Sequence, residues 1–317
     1  MTPTSWSSPI RAAAFPKPWP WLALCLALTV LLPWPSRAAT TVTDDLGREI
    51  VLEKPARRVV ALYGAFNEIL AGMGQAGRIV ARTEADAEPP SIAALPVIGT
   101  HMRPNLERVL AVKPDLVLQM AGRGEAEQAV AELTRLGLPV AVFSVSDFTG
   151  LFAAIERIGT LVGAKEAADS LVAKLRDRLA DVAEKADKAG GDKRPRVFFE
   201  VRSGSLLAAG KGSMVDAVIK AAGGANAVAT DKKIVRLSDE ELLRLAPDVC
   251  LTQRGPMNPE ARSMAERPEY AALPCVKDGR AYVVDEALFS RPGPGSVAAV
   301  EELSGLLAGQ KPGETRP

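Results

Sequence analysis

Histidine and tryptophan are almost missing from this chain, and their scarcity removes several chemistries. There is one histidine, His101, in 317 residues, and the four tryptophans (Trp6, Trp19, Trp21, Trp34) all precede residue 35. A metalloenzyme usually draws on more imidazole or thiolate than one histidine and three cysteines supply. No Gly-x-Ser-x-Gly elbow is present, and Cys250 and Cys275 sit in apolar contexts that leave a thiol inert. Gly210-Lys211-Gly212-Ser213 is not a phosphate loop. Gly204 lies one residue too far upstream, Gly212 stands where Ser or Thr must hold the metal, and Ser213 with Asp216 reads as a helix cap. Beyond residue 38 there are 36 Lys+Arg against 38 Asp+Glu, a net of −2, so no basic surplus invites nucleic acid. Nothing in these residues favours catalysis.

What is present begins with a leader. Arg11 and Lys17 precede an apolar run from Trp21 to Leu32, followed by the small-x-small pattern Ser36-Arg37-Ala38. Residues 1–38 therefore read as a cleavable signal peptide, too short in its apolar part to span a bilayer comfortably. Cys25 lies inside that run behind the large Leu24, which disfavours lipid attachment. The expected product is a soluble periplasmic monomer, with a retained N-terminal anchor as the alternative. In that oxidising compartment Cys250 and Cys275 are free to bridge, but two buried thiols on neighbouring strands fit the sequence equally well.

One sentence is written twice in the remainder. Asn105-Leu-Glu-Arg-Val-Leu-Ala-Val-Lys-Pro-Asp-Leu-Val-Leu118 matches Ser238-Asp-Glu-Glu-Leu-Leu-Arg-Leu-Ala-Pro-Asp-Val-Cys-Leu251 at an offset of 133. Glu107 pairs with Glu240, Leu110 with Leu243, Pro114 with Pro247 and Asp115 with Asp248. Each copy reads as a capped helix, a Pro-Asp turn and a short buried strand, with a capping box at Ser238 and Glu241. Around the copies, strands alternate with helices: a hairpin over 42–52, strands at 58–62, 79–81, 139–143, 196–201 and 280–284, and helices at 67–74, 125–136, 213–222 and 297–307. That alternation implies an α/β fold of two Rossmann-like lobes with mainly parallel sheets. Residues 148–191 show only helical periodicity, broken at Gly163, so a single long rigid helix from Lys165 to Ala189 is expected to join the lobes. The divisions are 39–147 for the first lobe, 192–310 for the second, and a disordered tail at 311–317.

Taken one at a time, the candidate residues have plain readings. A glutamate in a helix's first turn, as at 107 and 240, complements the helix dipole. His101, in Gly99-Thr-His-Met-Arg-Pro104, is first a loop residue, although it falls at a strand's carboxyl end, where open parallel sheets bind ligands.

Together the residues resemble a known family. Val42-Thr-Asp-Asp-Leu-Gly-Arg-Glu49, Pro104-Asn-Leu-Glu-Arg108, Lys113-Pro-Asp-Leu-Val117, Ala222-Gly-Gly-Ala-Asn226 and Arg291-Pro-Gly-Pro294 are similar, in order and spacing, to the periplasmic substrate-binding proteins of iron-siderophore, haem and cobalamin ABC importers. The resemblance implies ligand capture in a shallow cleft between the lobes, and no catalysis. It implies that Glu107 and Glu240 dock onto arginines of an inner-membrane permease dimer. It places ligand contacts at Tyr63, His101, Met102, Arg103, Met120 and Arg123 on one side, and at Arg202, Arg236 and Arg291 on the other. His101 falls where the family varies: tryptophan in cobalamin binders, arginine in a hydroxamate-siderophore binder, tyrosine in haem binders. Imidazole is a ligand for haem iron or another transition metal, and arginines suit an anionic chelate. The chain lacks the cleft tryptophans of cobalamin binders, and Glu84-Ala-Asp-Ala-Glu88 replaces the usual tyrosines. The expected cargo is a ferric siderophore or haem, with no resident cofactor; a corrinoid is the alternative, and an enzyme using the cleft is the runner-up from another class.

Overall fold

A computed structural model describes Met1 and residues 39–122, 124–188 and 194–310. The expected signal peptide and frayed tail lie outside the described residues, as does Arg123. No described helix is long and apolar enough to cross a membrane.

In the first lobe, β1 (Thr40–Thr43) and β2 (Glu49–Leu52) form the expected hairpin. Then follow β3 (Val59–Ala61), α1 (Gly64–Gly72), β4 (Ile79–Ala81), α2 (Leu106–Ala111), β5 (Leu116–Met120), α3 (Gly124–Arg135) and β6 (Val140–Phe143). The sheet order is β4-β3-β5-β6, all parallel. Val59, Ala61, Leu116 and Leu118 feed one apolar cluster, while Val60, Val117, Val140 and Val142 feed another. Burial on both faces is why these strands read as unbroken apolar runs. Helix α1 starts three residues before the expected Asn67. Its first turn, Gly64-Ala65-Phe66, is buried, and so is Asn67 itself, so tertiary packing overrode the polar cap signal.

Helices α4 (Phe148–Leu161) and α5 (Lys165–Lys188) lead to the second lobe. At 24 residues, α5 is about 36 Å long. Its inward stripe runs Ala168, Val172, Leu175, Leu179, Val182. The first three belong to the first lobe's core, Val182 belongs to the second's, and Leu179 packs against both. Steps of four and three residues keep one helix face inward along the whole length. Arg178 fastens the strut to the second lobe through two bonds to Glu301, at 2.8 and 2.6 Å.

The second lobe contains β7 (Arg196–Arg202), β8 (Leu207–Ala209), α6 (Met214–Ala221), β9 (Ala225–Asn226), β10 (Ile234–Arg236), α7 (Asp239–Leu245), β11 (Val249–Arg254), α8 (Pro274–Lys277), β12 (Ala281–Asp285), α9 (Glu286–Phe289) and α10 (Gly295–Leu307). The order β10-β8-β7-β11-β12 is parallel across β7, β11 and β12. Strands β8 and β10 add an antiparallel edge that the sequence did not reveal, because three-residue strands carry no periodicity.

The two repeats share their local geometry. Lys113 and Ala246, 133 residues apart, both adopt left-handed backbone, at φ +45° and +42°, which ends each helix before its proline. Asp115 accepts from the backbone N–H of Arg57 and Arg58, each at 2.8 Å. Asp248 accepts from that of Arg196 at 2.7 Å. Each Pro-Asp turn thus pins the start of the parallel strand beside it.

Cys250 and Cys275 form a disulfide, Cα to Cα 5.7 Å. Cys275 lies in the short helix α8, not in a strand as expected. Both residues face the cluster of Phe198, Leu242, Met264 and Tyr270.

Candidate functional site

The carboxyl ends of the parallel strands in both lobes open onto one cavity of ≈ 370 Å³, within the size range of small-molecule sites. It is reached by the ends of β5 and β7, the loops after β4, β6 and β11, and the first turns of α1, α6 and α9. Parallel sheets place their ligands at this edge because loops there are free of ladder duty and helix N-termini point toward it.

Of the residues named from the sequence, Tyr63, His101, Met102, Met120, Arg202 and Arg291 line the cavity. The imidazole of His101 meets Tyr63 edge-on, with centroids 5.6 Å apart and planes at 76°. Buried Gln119 holds that loop in place. Its Nε2 donates to the His101 carbonyl at 2.9 Å, and its Oε1 accepts from the Met120 N–H at 2.8 Å.

Arg103 and Arg236 are not among the lining residues. Arg103 is on the surface, its side chain 77% exposed, forked onto Glu125 at 2.9 and 2.6 Å. The nearby α3 supplies that carboxylate, which draws the guanidinium outward. Arg236 pairs with Leu207, whereas Ile234, which does line the cavity, pairs with Ala209. Two residues along a strand is about 7 Å, enough to carry Arg236 clear.

Several site residues gave no signal in the sequence. Met214 and Met257 join Met102 and Met120, so four of the chain's seven methionines face the cleft, two from each lobe. Arg291 lies 3.4 Å from Glu68 and 3.7 Å from Asp86, both on the opposite lobe. Gly64 makes this meeting possible, since a Cβ there would stand 2.6 Å from Arg291 Nη1. Thr83 Oγ1 donates to Asp86 at 2.7 Å, and the Gly295 N–H donates to Glu68 at 3.3 Å. Burial raises the Glu68 carboxyl above its ordinary range, while Arg291 pulls it back. Arg291 therefore reaches the cleft already opposed by two carboxylates. The Met257 backbone is held on both sides: Glu286 accepts from its N–H at 2.8 Å and Arg202 Nε donates to its carbonyl at 3.1 Å. Burial also raises Glu286. Contacts between residues distant in sequence have no local pattern, which is why only tertiary structure exposes them.

Behind this wall, Arg267 forks onto buried Glu200 at 2.9 and 2.6 Å, and Thr252 Oγ1 donates to the same carboxylate at 3.0 Å. Tyr270 donates to Asp239 in the first turn of α7 at 2.7 Å.

Glu107 and Glu240 are both exposed, and neither enters an ion pair among the described residues. Connecting helices run antiparallel to the strands they join, so α2 and α7 both begin at the cleft-side edge of their own sheets.

Two α/β lobes on a helical strut, with a cleft at their strand ends, define a solute-binding architecture. Residues 59–288 match the family model described as periplasmic binding protein, and the chain belongs to that family. This family is a transport substrate-binding class, not an enzymatic one. The chain is 29% identical over 267 residues to the uncharacterized ABC transporter substrate-binding lipoprotein YvrC of Bacillus subtilis, covering 83% of this chain and 84% of the relative. It is 29% identical over 218 residues to a cobalamin-binding protein of Halobacterium salinarum, covering 67% and 58%. Among solved structures, the apo periplasmic heme-binding protein RhuT from Roseiflexus sp. RS-1 superposes with a TM-score of 0.69 at 25% identity, covering 80% of this chain and 98% of RhuT. The family and the lipoprotein relative point to a location outside the cytoplasm.

Proposed function

We propose that this protein captures a metal-containing macrocycle, foremost the iron complex haem, and delivers it to an ABC importer. The observation that carries the reading is the two-walled cleft: thioethers from both lobes, with His101 held against Tyr63. Thioethers suit broad apolar faces because they are polarizable and adjust their shape. The imidazole is a ligand for iron. Exposed Arg202 and Lys233 sit at the cavity, where they suit peripheral carboxylates. Since Arg291 is already opposed by Glu68 and Asp86, a strongly anionic ferric siderophore fits less well than haem. The relative named for haem binding agrees.

A corrinoid is the second reading, favoured by the cobalamin-binding relative and opposed by the absence of tryptophan after Trp34. After removal of residues 1–38 the protein acts as a periplasmic monomer. Glu107 and Glu240 dock it onto arginines of a permease dimer, electrostatic complementarity setting orientation and encounter rate. Nucleic acid is not a partner.

The test is titration of the apoprotein with haemin, a ferric hydroxamate and cyanocobalamin, followed by visible absorption and calorimetry. Haemin should bind with a shifted Soret band, and His101→Ala should abolish that shift and weaken binding about tenfold or more. Tight cyanocobalamin binding without haemin binding would establish the second reading instead.

A further inference from the structure

Within the duplicated helices only two positions carry the same residue in both copies. Comparing 106–111 with 239–244, these are Glu107 with Glu240 and Leu110 with Leu243. Neither position is fixed by packing. The one buried residue of each helix, Val109 and its counterpart Leu242, has changed identity, whereas Leu110 and Leu243 are 37% and 39% exposed. Of the six large hydrophobic side chains substantially exposed among the described residues from 39 to 310, these two occupy matched sites. Each leucine follows its glutamate by three residues and so shares its helix face.

We propose that Leu110 and Leu243 are the apolar half of the docking face, each seated in an apolar recess beside the basic group that meets its glutamate. This rests on the docking reading above. The occupant is the permease dimer: a pair of exposed carboxylates calls for a pair of basic groups, and two like patches on pseudo-repeated lobes call for two like subunits. A lone surface leucine is ordinary. An identical leucine beside an identical carboxylate that enters no ion pair among the described residues marks, in both copies, a two-part contact, with charge guiding encounter and the apolar group slowing release.

The experiment measures binding of the full chain to its permease–ATPase complex in proteoliposomes, together with stimulation of ATP hydrolysis. Leu110→Gln and Leu243→Gln should each weaken binding about fivefold, and the double variant about 20-fold. This loss should persist at high salt, whereas the loss in Glu107→Gln/Glu240→Gln should shrink as wild-type binding itself weakens. Leu110→Met/Leu243→Met should retain affinity. Unchanged melting temperature and ligand affinity confirm that each variant folds. If the glutamate variants lose binding and the double leucine variant does not, the leucine inference is overturned and docking stands. If both sets bind like wild type, the docking reading falls and takes the inference with it.

Discussion

Replacing both Cys250 and Cys275 with alanine tests how the wall of the cleft is held. The bridge links residues 25 apart in sequence, from β11 to α8. In the chain-entropy treatment, closing a loop of that size removes about 12 cal/mol/K from the unfolded ensemble, or about 3.5 kcal/mol at 25 °C. The closed segment contains Pro256 and Met257 at the cleft and Arg267 behind it. At about 2–4 °C per kcal/mol for a chain of this size, the variant should melt about 7–14 °C lower. Urea unfolding followed by circular dichroism is the assay, with oxidised wild type, wild type under reductant, and the double variant side by side. The two unbridged forms should share a lowered midpoint and a steeper denaturant slope, because the released chain exposes more surface on unfolding. Ligand affinity in the native state should stay within about threefold, since Arg202 and Glu286 hold the Met257 backbone independently of the bridge. Equal midpoints for bridged and unbridged protein would refute the argument.

Arg267→Met should cost about 3–5 kcal/mol by urea unfolding, because it leaves the buried Glu200 carboxylate unpaired. Adding Glu200→Gln should recover part of that loss, and a cost below about 1 kcal/mol would show that the pair does not hold the lobe. Arg291→Met should destabilise by about 1–3 kcal/mol at pH 7, reduced from a full burial cost because the paired side chains keep 17% and 21% exposure. A carboxyl whose folded pKa is raised, as Glu68's is, favours the folded state below the ordinary value of 4.5, and that contribution is lost as pH rises through the raised pKa. Removing Arg291 lifts it further, so the variant's deficit should grow from pH 4 to pH 7. A deficit independent of pH would separate Arg291 from Glu68.

The order of elements was legible because it is written locally. Alternating strands and helices, the Gly163 break, the caps at Asn105, Ser213 and Ser238, and the duplicated Pro-Asp turn all act through neighbours in sequence. Met120 ends β5, His101 and Met102 lie in the loop before α2, and all three line the cleft where the resemblance placed ligand contacts. Arg103 and Arg236 lie off the cavity lining because a loop or strand address does not say which way a long side chain turns, and Glu125 turns Arg103 outward.

The sequence by itself determined two related lobes, a helical strut and a chain nearly free of imidazole, since periodicity and composition need no third dimension. Tertiary structure alone decided that Met214 and Met257 face Met102 and Met120 across the cleft, that Arg291 meets Glu68 and Asp86, and that Cys250 bonds Cys275. Each of these joins residues far apart along the chain, and such contacts exist only once packing of the two cores has fixed where the loops end.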